Sequence, residues 1–224
     1  CLDLTSLNDG DSQADIDQLC ERAQSPHGPV AAVCVWPRFV ALARKRLPAH
    51  IRVAAVANFP DGSSDIARAV ADTQAIVQAG GNEVDVVMPY RALDAAYTLL
   101  QAVRAACPGL RLKVILETGE LADDATIDRA CRIALDAGAD FLKTSTGKVK
   151  VHATLGAADR LLRAIAGDAK ARGHVGFKPA GGIRTVGDAA AYMALVEQHL
   201  GTGAVQPQFF RIGASGLLDD IEAV

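Results

Sequence analysis

The chain runs to 224 residues, half of them hydrophobic and 22% charged, with a formal net charge of −3. That length supports one large core, and the slightly acidic balance, free of basic runs, excludes nucleic acid and anionic membrane as main partners. No apolar stretch approaches a bilayer span and no signal-peptide pattern opens the sequence, so the expectation is a soluble, cytoplasmic protein acting on a small molecule.

Eight short runs rich in Val, Ile and Phe read as strands: Leu2 to Thr5, Val30 to Trp36, Ile51 to Ala57, Glu83 to Met88, Leu110 to Glu117, Ala139 to Thr144, His174 to Lys178 and Phe209 to Gly213. Longer Ala/Leu/Arg/Asp-rich segments separate them. In one, Ile66, Ala69, Val70, Thr73, Ile76 and Val77 recur at helical spacing before Gly80-Gly81; another runs from Ala125 to Ala137 and stops at Gly138. Strands apolar on both faces that alternate with helices indicate a parallel sheet covered by helices. Eight such units, with no linker or composition shift, point to a single (β/α)8 TIM barrel over residues 1–224; a doubly wound open sheet is the alternative.

In a barrel the chemistry gathers where strands hand over to loops. Asp3 and Asn8 flank the first strand, Cys34 ends the second, Asn58 follows the third and Asp85 lies in the fourth. Glu117 ends the fifth, Lys143 the sixth and Lys178 the seventh, and Gly213-Ala214-Ser215 follow the eighth. Both lysines stand against apolar neighbours, in Phe141-Leu142-Lys143 and Val175-Gly176-Phe177-Lys178. An ordinary lysine, with a pKa of about 10.4, offers almost no neutral amine at pH 7, whereas burial and a second ammonium both lower that value. Lysines on adjacent strands about 4.8 Å apart therefore point to Schiff-base chemistry, with Lys178 lowering the pKa of Lys143 by direct repulsion. Asp85 is the candidate proton shuttle, its structural alternative being an ion pair alone.

Gly181-Gly182 and Gly213-Ala214-Ser215-Gly216 put bare backbone N–H groups ahead of helices, in the two loops where many barrels hold a phosphate. A phosphorylated sugar or triose is implied. A nucleotide is not, because neither GxGxxG nor the P-loop pattern occurs. Five scattered cysteines (Cys1, Cys20, Cys34, Cys107, Cys131), without CxxC or Cys/His spacing, read as reduced thiols and not as disulfides or a zinc site. Cys1 in place of an initiator Met marks the N-terminus as missing or processed.

Asp3-Leu4-Thr5 with Leu7-Asn8, Val33 to Phe39, Asn58-Phe59-Pro60, Glu83 to Arg91, Lys113 to Leu121 and the two lysine motifs occur in an order that resembles deoxyribose-phosphate aldolase over nearly the whole chain. The resemblance implies a metal-independent, cofactor-free class I aldolase that reversibly cleaves 2-deoxy-D-ribose 5-phosphate to acetaldehyde and D-glyceraldehyde 3-phosphate. It implies Lys143 as the Schiff-base lysine, Lys178 as the second active-site lysine, Asp85 as the carboxylate of proton transfer and Asp3 as a supporting carboxylate. Thr146, Lys148, Gly181, Gly182, Gly213 and Ser215 fall on positions that surround the substrate and its phosphate, and the assembly implied is a monomer or homodimer. Where the family often reads Gly-Ala-Ser-Ser, this chain has Gly213-Ala214-Ser215-Gly216. The helix usual before the first strand and the polar C-terminal tail are also missing. Two other readings stay open: a class I aldolase or transaldolase for another phosphosugar, and a non-catalytic phosphosugar-binding barrel.

Overall fold

Strands β1 (Leu2–Thr5), β2 (Ala32–Val35), β3 (Arg52–Ala57), β4 (Glu83–Val87), β5 (Arg111–Ile115), β6 (Phe141–Lys143), β7 (Gly176–Lys178) and β8 (Ile212–Ala214) alternate with helices in the computed structural model, which describes residues 1–224. The helices are α1 (Gln13–Arg22), α2 (Val40–Arg46), α3 (Ile66–Gln78), α4 (Leu93–Ala106), α5 (Asp124–Asp136), α6 (Leu155–Gly167), α7 (Val186–Leu200) and α8 (Leu217–Ala223). Each strand pairs parallel with its neighbours in the order β7-β6-β5-β4-β3-β2-β1-β8. The ring closes between β7 and β8 through two bridges, Phe177 to Phe210 and Ala180 to Gly213. This is the (β/α)8 barrel that the alternation of apolar runs and helical segments predicts.

The two helices read from their spacing end as expected. Asp65 caps α3 by accepting from the Arg68 N–H, and Asp123 caps α5 by accepting from Thr126. Gly80 and Gly138 then take left-handed φ values of 83° and 87°, which lets Gly81 N–H return to Ile76 and Ala139 N–H to Ala134. β1 coincides with its run and the other strands are trimmed at one or both ends. The largest shift is at the start of the last, Ile212 instead of Phe209, because Phe209 and Phe210 are drawn into a turn by N–H bonds to the Gln206 carbonyl.

Side chains alternate across each strand. One set, including Val33, Val53, Val84, Val86, Leu112, Val114, Leu142 and Phe177, is buried and builds the apolar core that packs under the helices. The other set faces the barrel interior. At the floor Phe141 lies across the axis with the Arg111 and Arg211 guanidinium groups 5.7 and 5.8 Å from its ring centre. Its register partner is Gly176, where a Cβ would come within 2.5 Å of the Phe141 ring, so only glycine fits there. Above the floor the interior is ionic.

Candidate active site

Seven buried ionisable side chains occupy the barrel axis: the carboxylates Asp3, Glu83 and Asp85, and the bases Lys113, Lys143, Lys178 and Arg211. Isolated, each would cost several kcal/mol in lost solvation, so the cluster persists only because every member has partners. Lowest lies Arg211, bonded to Asp3 Oδ1 at 2.6 Å and to Glu83 Oε1 at 2.8 Å. Lys113 Nζ stands among three carboxylates, 2.5 Å from Glu83, 2.9 Å from Asp85 and 3.2 Å from Asp3. Lys178 Nζ bridges two, Asp3 Oδ2 at 2.5 Å and Asp85 Oδ2 at 2.8 Å. Lys143 Nζ meets one, Asp85 Oδ2 at 2.7 Å.

Backbone register explains how these groups meet. Asp85 pairs with Lys113 across β4 and β5, and Lys143 pairs with Lys178 across β6 and β7, so each couple points inward from the same level. Asp3 is brought beside Gly213 by the pairing of β1 with β8. A Cβ at Gly213 would stand 3.0 Å from Lys178 Cε, so the glycine leaves the lysine its path across the barrel. The facing residues of β2 and β3 are small, Cys34 in register with Ala54 and Val56 with Asp85, which leaves room for the long side chains opposite.

The electrostatics follow the contacts. Burial is the largest influence on Lys143 and lowers its pKa; Asp85 opposes it and Lys178 reinforces it. Lys178 and Lys113 lie above the usual lysine range, because Asp3 and Asp85, joined by Glu83 for Lys113, outweigh the burial that works against their charge. Asp85 is held well below the usual carboxylate range: burial pushes it up, but Lys113, Lys143 and Lys178 together pull it down. Direct repulsion by Lys178, expected from sequence to activate Lys143, is thus a secondary cause. Cys34, 4.0 Å from Asp85, has its thiol pushed up by burial and then by that carboxylate, as befits a small buried residue.

Above this cluster the rim is built from the ends of β5 to β8. Thr146 donates through its hydroxyl to Glu117 at 2.5 Å and through its N–H at 3.1 Å, while accepting from the Lys148 N–H at 3.0 Å. Ser145 donates to the Ala180 carbonyl at 2.5 Å, tying the two lysine loops together. Gly147 and Gly181 both have positive φ and approach closely, a Cβ at Gly181 falling 3.2 Å from the Gly147 Cα. Lys148, Gly182 and Ser215 are exposed at the mouth.

The expectation of bare N–H groups ahead of both helices holds only in part. The Gly213 N–H is taken by the Pro179 carbonyl and the Gly181 N–H faces the Gly213 carbonyl at 3.4 Å, because these residues close the barrel. The start of α7 is filled by carboxylates: Asp188 accepts from Arg184 and Thr185, and Asp220 accepts from Val186. Gly182, Ser215 and Gly216 keep N–H groups with no backbone acceptor. α8 starts at Leu217, and its N-cap, Gly216, brings no capping side chain.

Residues 1–220 match the DeoC/LacD family of aldolases. The chain belongs to that family. A deoxyribose-phosphate aldolase of Agrobacterium fabrum is 50% identical to this DeoC/LacD aldolase over 228 residues, spanning 98% of this chain and 87% of the relative. Among solved structures, a candidate deoxyribose-phosphate aldolase from Coccidioides immitis superposes with a TM-score of 0.84 at 27% identity, covering 99% of this chain and 84% of that one. A deoxyribose phosphate aldolase from Aeropyrum pernix, described as having a unique tetrameric structure, superposes with a TM-score of 0.77 at 26% identity, covering 99% and 89%.

All four sequence-derived residues Asp3, Asp85, Lys143 and Lys178 come together in this aldolase, with Thr146 above them and Lys148, Gly182 and Ser215 around the mouth. Lys113, Glu83 and Arg211 escaped sequence reasoning although each carries two or three charge contacts, more than Lys143 does. A usable signal existed: in a parallel barrel buried on both faces, a charged residue in mid-strand has no water to reach. A surface cavity of about 460 Å³ lined by Arg172, Val175, His199, Leu200 and Phe209 lies at the floor end, away from Lys143. No helix is long and apolar enough to cross a membrane.

Proposed function

We propose that this aldolase reversibly cleaves 2-deoxy-D-ribose 5-phosphate to acetaldehyde and D-glyceraldehyde 3-phosphate through an imine on Lys143. The observation that carries the reading is the grading of the three lysines: Lys113 meets three carboxylates, Lys178 two and Lys143 one. With Lys143 neutral, the carboxylates Asp3, Glu83 and Asp85 face the cations Lys113, Lys178 and Arg211, three against three. Lys143 is thereby the amine whose proton the cluster spares at least cost, and a neutral amine is what attacks a carbonyl.

The amine adds to the C1 aldehyde of the open-chain sugar and water is lost, leaving a protonated imine. Removal of the 3-hydroxyl proton lets the C2–C3 bond break, its electron pair moving into the imine as an enamine while C3 becomes the aldehyde carbon of glyceraldehyde 3-phosphate. Protonation of the enamine at C2 and hydrolysis release acetaldehyde and restore Lys143. Asp85, whose Oδ2 contacts both Lys143 and Lys178, moves these protons with Lys178, work worth about 10²–10⁴-fold. Asp3 holds Lys178 in place. Because the imine is the electron sink, the scheme calls for no metal and no organic cofactor.

Lys148 and the N–H groups of Gly182, Ser215 and Gly216 support a phosphate at the mouth, with Thr146 and Gly181 shaping its approach. Gly213 serves the site through the space it leaves for Lys178. In this reading residues 1–224 act as one barrel domain in the cytoplasm, where five free cysteines stay reduced, as a monomer or homodimer. Purified protein given 2-deoxy-D-ribose 5-phosphate should release acetaldehyde and glyceraldehyde 3-phosphate in equal amounts. Cleavage of a different phosphosugar only would replace the substrate, and binding without product would replace the activity.

A further inference from the structure

We infer that Lys113, with Glu83 and Arg211 beneath it, is a positioning unit that keeps Asp85 ionised and in place and so leaves Lys143 as the one uncharged base of the barrel. The inference rests on Lys143 being the imine-forming amine. Lys113 never reaches the mouth: it is fully buried in mid-strand, its Nζ touches Glu83, Asp85 and Asp3, and its backbone is in register with Phe141, two residues before Lys143 on β6. It contacts Asp85 through Oδ1, whereas Lys143 and Lys178 share Oδ2. The carboxylate is therefore gripped from below by one oxygen, and the other is presented to the two upper lysines.

Charge balance turns that grip into a setting for Lys143. The groups that act on it directly are Asp85 from β4, Lys178 from β7, Cys34 from β2 and Glu117 just after β5. Asp3 from β1, Glu83 from β4, Lys113 from β5 and Arg211 ahead of β8 complete the buried ionisable groups of the interior, and β3 contributes none. Removing the Lys113 charge leaves three deep carboxylates with two permanent cations, and an ammonium at Lys143 becomes the nearest remedy. Removing the Glu83 charge does the reverse. The consequences have opposite signs, which a residue acting only as packing would not produce.

The test is acetaldehyde trapping by borohydride across pH, with the labelled lysine read by peptide mass mapping and the fold followed by circular dichroism. Lys113→Met should move the trapping midpoint up by about one pH unit, a roughly tenfold loss of trapping rate at fixed pH below it. Glu83→Gln should move it down by a smaller amount, and the double variant should return it close to the wild type. Should Lys113→Met not fold, the Glu83→Gln and double variants still decide. Unshifted midpoints in folded variants, or a double variant displaced as far as Lys113→Met, overturn the inference. Label on Lys178 in the wild type overturns instead the assignment of Lys143.

Discussion

Lys143 and Lys178 are register partners on adjacent strands, and their ammonium positions converge on a single oxygen, Asp85 Oδ2, at 2.7 and 2.8 Å. Only Lys178 has a second carboxylate, Asp3. That one difference separates a lysine that stays charged from one that can lose its proton. Acetaldehyde with borohydride should therefore add an ethyl group at Lys143, and Lys143→Leu should abolish turnover with the fold retained. Mass mapping that finds the label on Lys178 or Lys148 would reverse the roles.

Lys178→Met takes away the cation between Asp3 and Asp85, so their unbalanced charge falls on Lys143 and the trapping profile should move up by about 1–2 pH units. Lys178→Arg keeps the charge but cannot return a proton. Trapping should survive near neutral pH while kcat falls by about 10²–10⁴-fold. A Met profile that stays in place would leave burial alone as the activator of Lys143.

Gly213→Ala places a methyl group 3.0 Å from both Lys178 Cε and Ala180 Cβ. The barrel tolerates a displacement of a few tenths of an ångström; the contact between Lys178 and Asp85 does not. Thermal stability should change little and kcat should fall by about tenfold. Unaltered kcat in the folded variant would separate Gly213 from the positioning of Lys178.

Gly216 has φ −100°, and a Cβ there meets nothing nearer than Asp219 Oδ2 at 3.9 Å, so serine fits without strain. A hydroxyl facing a phosphate adds a hydrogen bond to a charged group, at most about 1.5–3 kcal/mol. Gly216→Ser should lower KM for the phosphorylated sugar by about tenfold and leave 2-deoxyribose unaffected. Equal changes for both sugars would remove phosphate contact as the cause.

The ion cluster also sets the acid limb of stability. Folded Asp3, Glu83 and Asp85 titrate below their unfolded values, so their contribution is complete above about pH 4 and is lost as pH falls through the folded values. Lys113 and Lys178 are raised, so theirs is complete below about pH 10.4 and is lost only at higher pH. Unfolding temperature should fall steeply below about pH 4. Asp3→Asn, which strips a buried partner from Lys178 and Arg211, should lower it by about 10 °C at pH 7 and flatten the acid limb. An acid limb as steep as the wild type would place the titrating groups elsewhere.

Much of this was legible in the sequence. The eight strands stood out as short Val/Ile/Phe-rich runs between helical segments, and Lys143 and Lys178 stood out because each closes an apolar run ahead of a glycine-bearing loop. Lys113 did not, because Arg111-Leu112-Lys113-Val114 alternates like a strand with one wet face; only closure of the barrel turns that face inward. Arg211 was hidden in the same way, between Phe210 and Ile212. The open helix start expected at α7 failed for two reasons: Asp188 takes the Arg184 and Thr185 N–H groups in a capping box legible as Thr185-x-x-Asp188, and Asp220, 34 residues away, takes the Val186 N–H, which no local pattern announces. Repulsion between the upper lysines was overrated because one strand pair, read alone, omits Asp3 and Asp85 on the far side of the barrel.

The hydrogen bond from Arg211 to Asp3 spans 208 positions of sequence, and that from Lys178 to Asp3 spans 175. Separations of that order impose a timetable on biosynthesis. While the ribosome still holds residues near 211, β1 has made its carboxylate but not met the guanidinium that answers it, and the barrel remains an arc with an ionic inner wall open to water. Reactivity toward aldehydes should thus switch on abruptly, when the last strand docks against the first, and a nascent chain halted before β8 should carry every upper lysine yet form no imine at neutral pH.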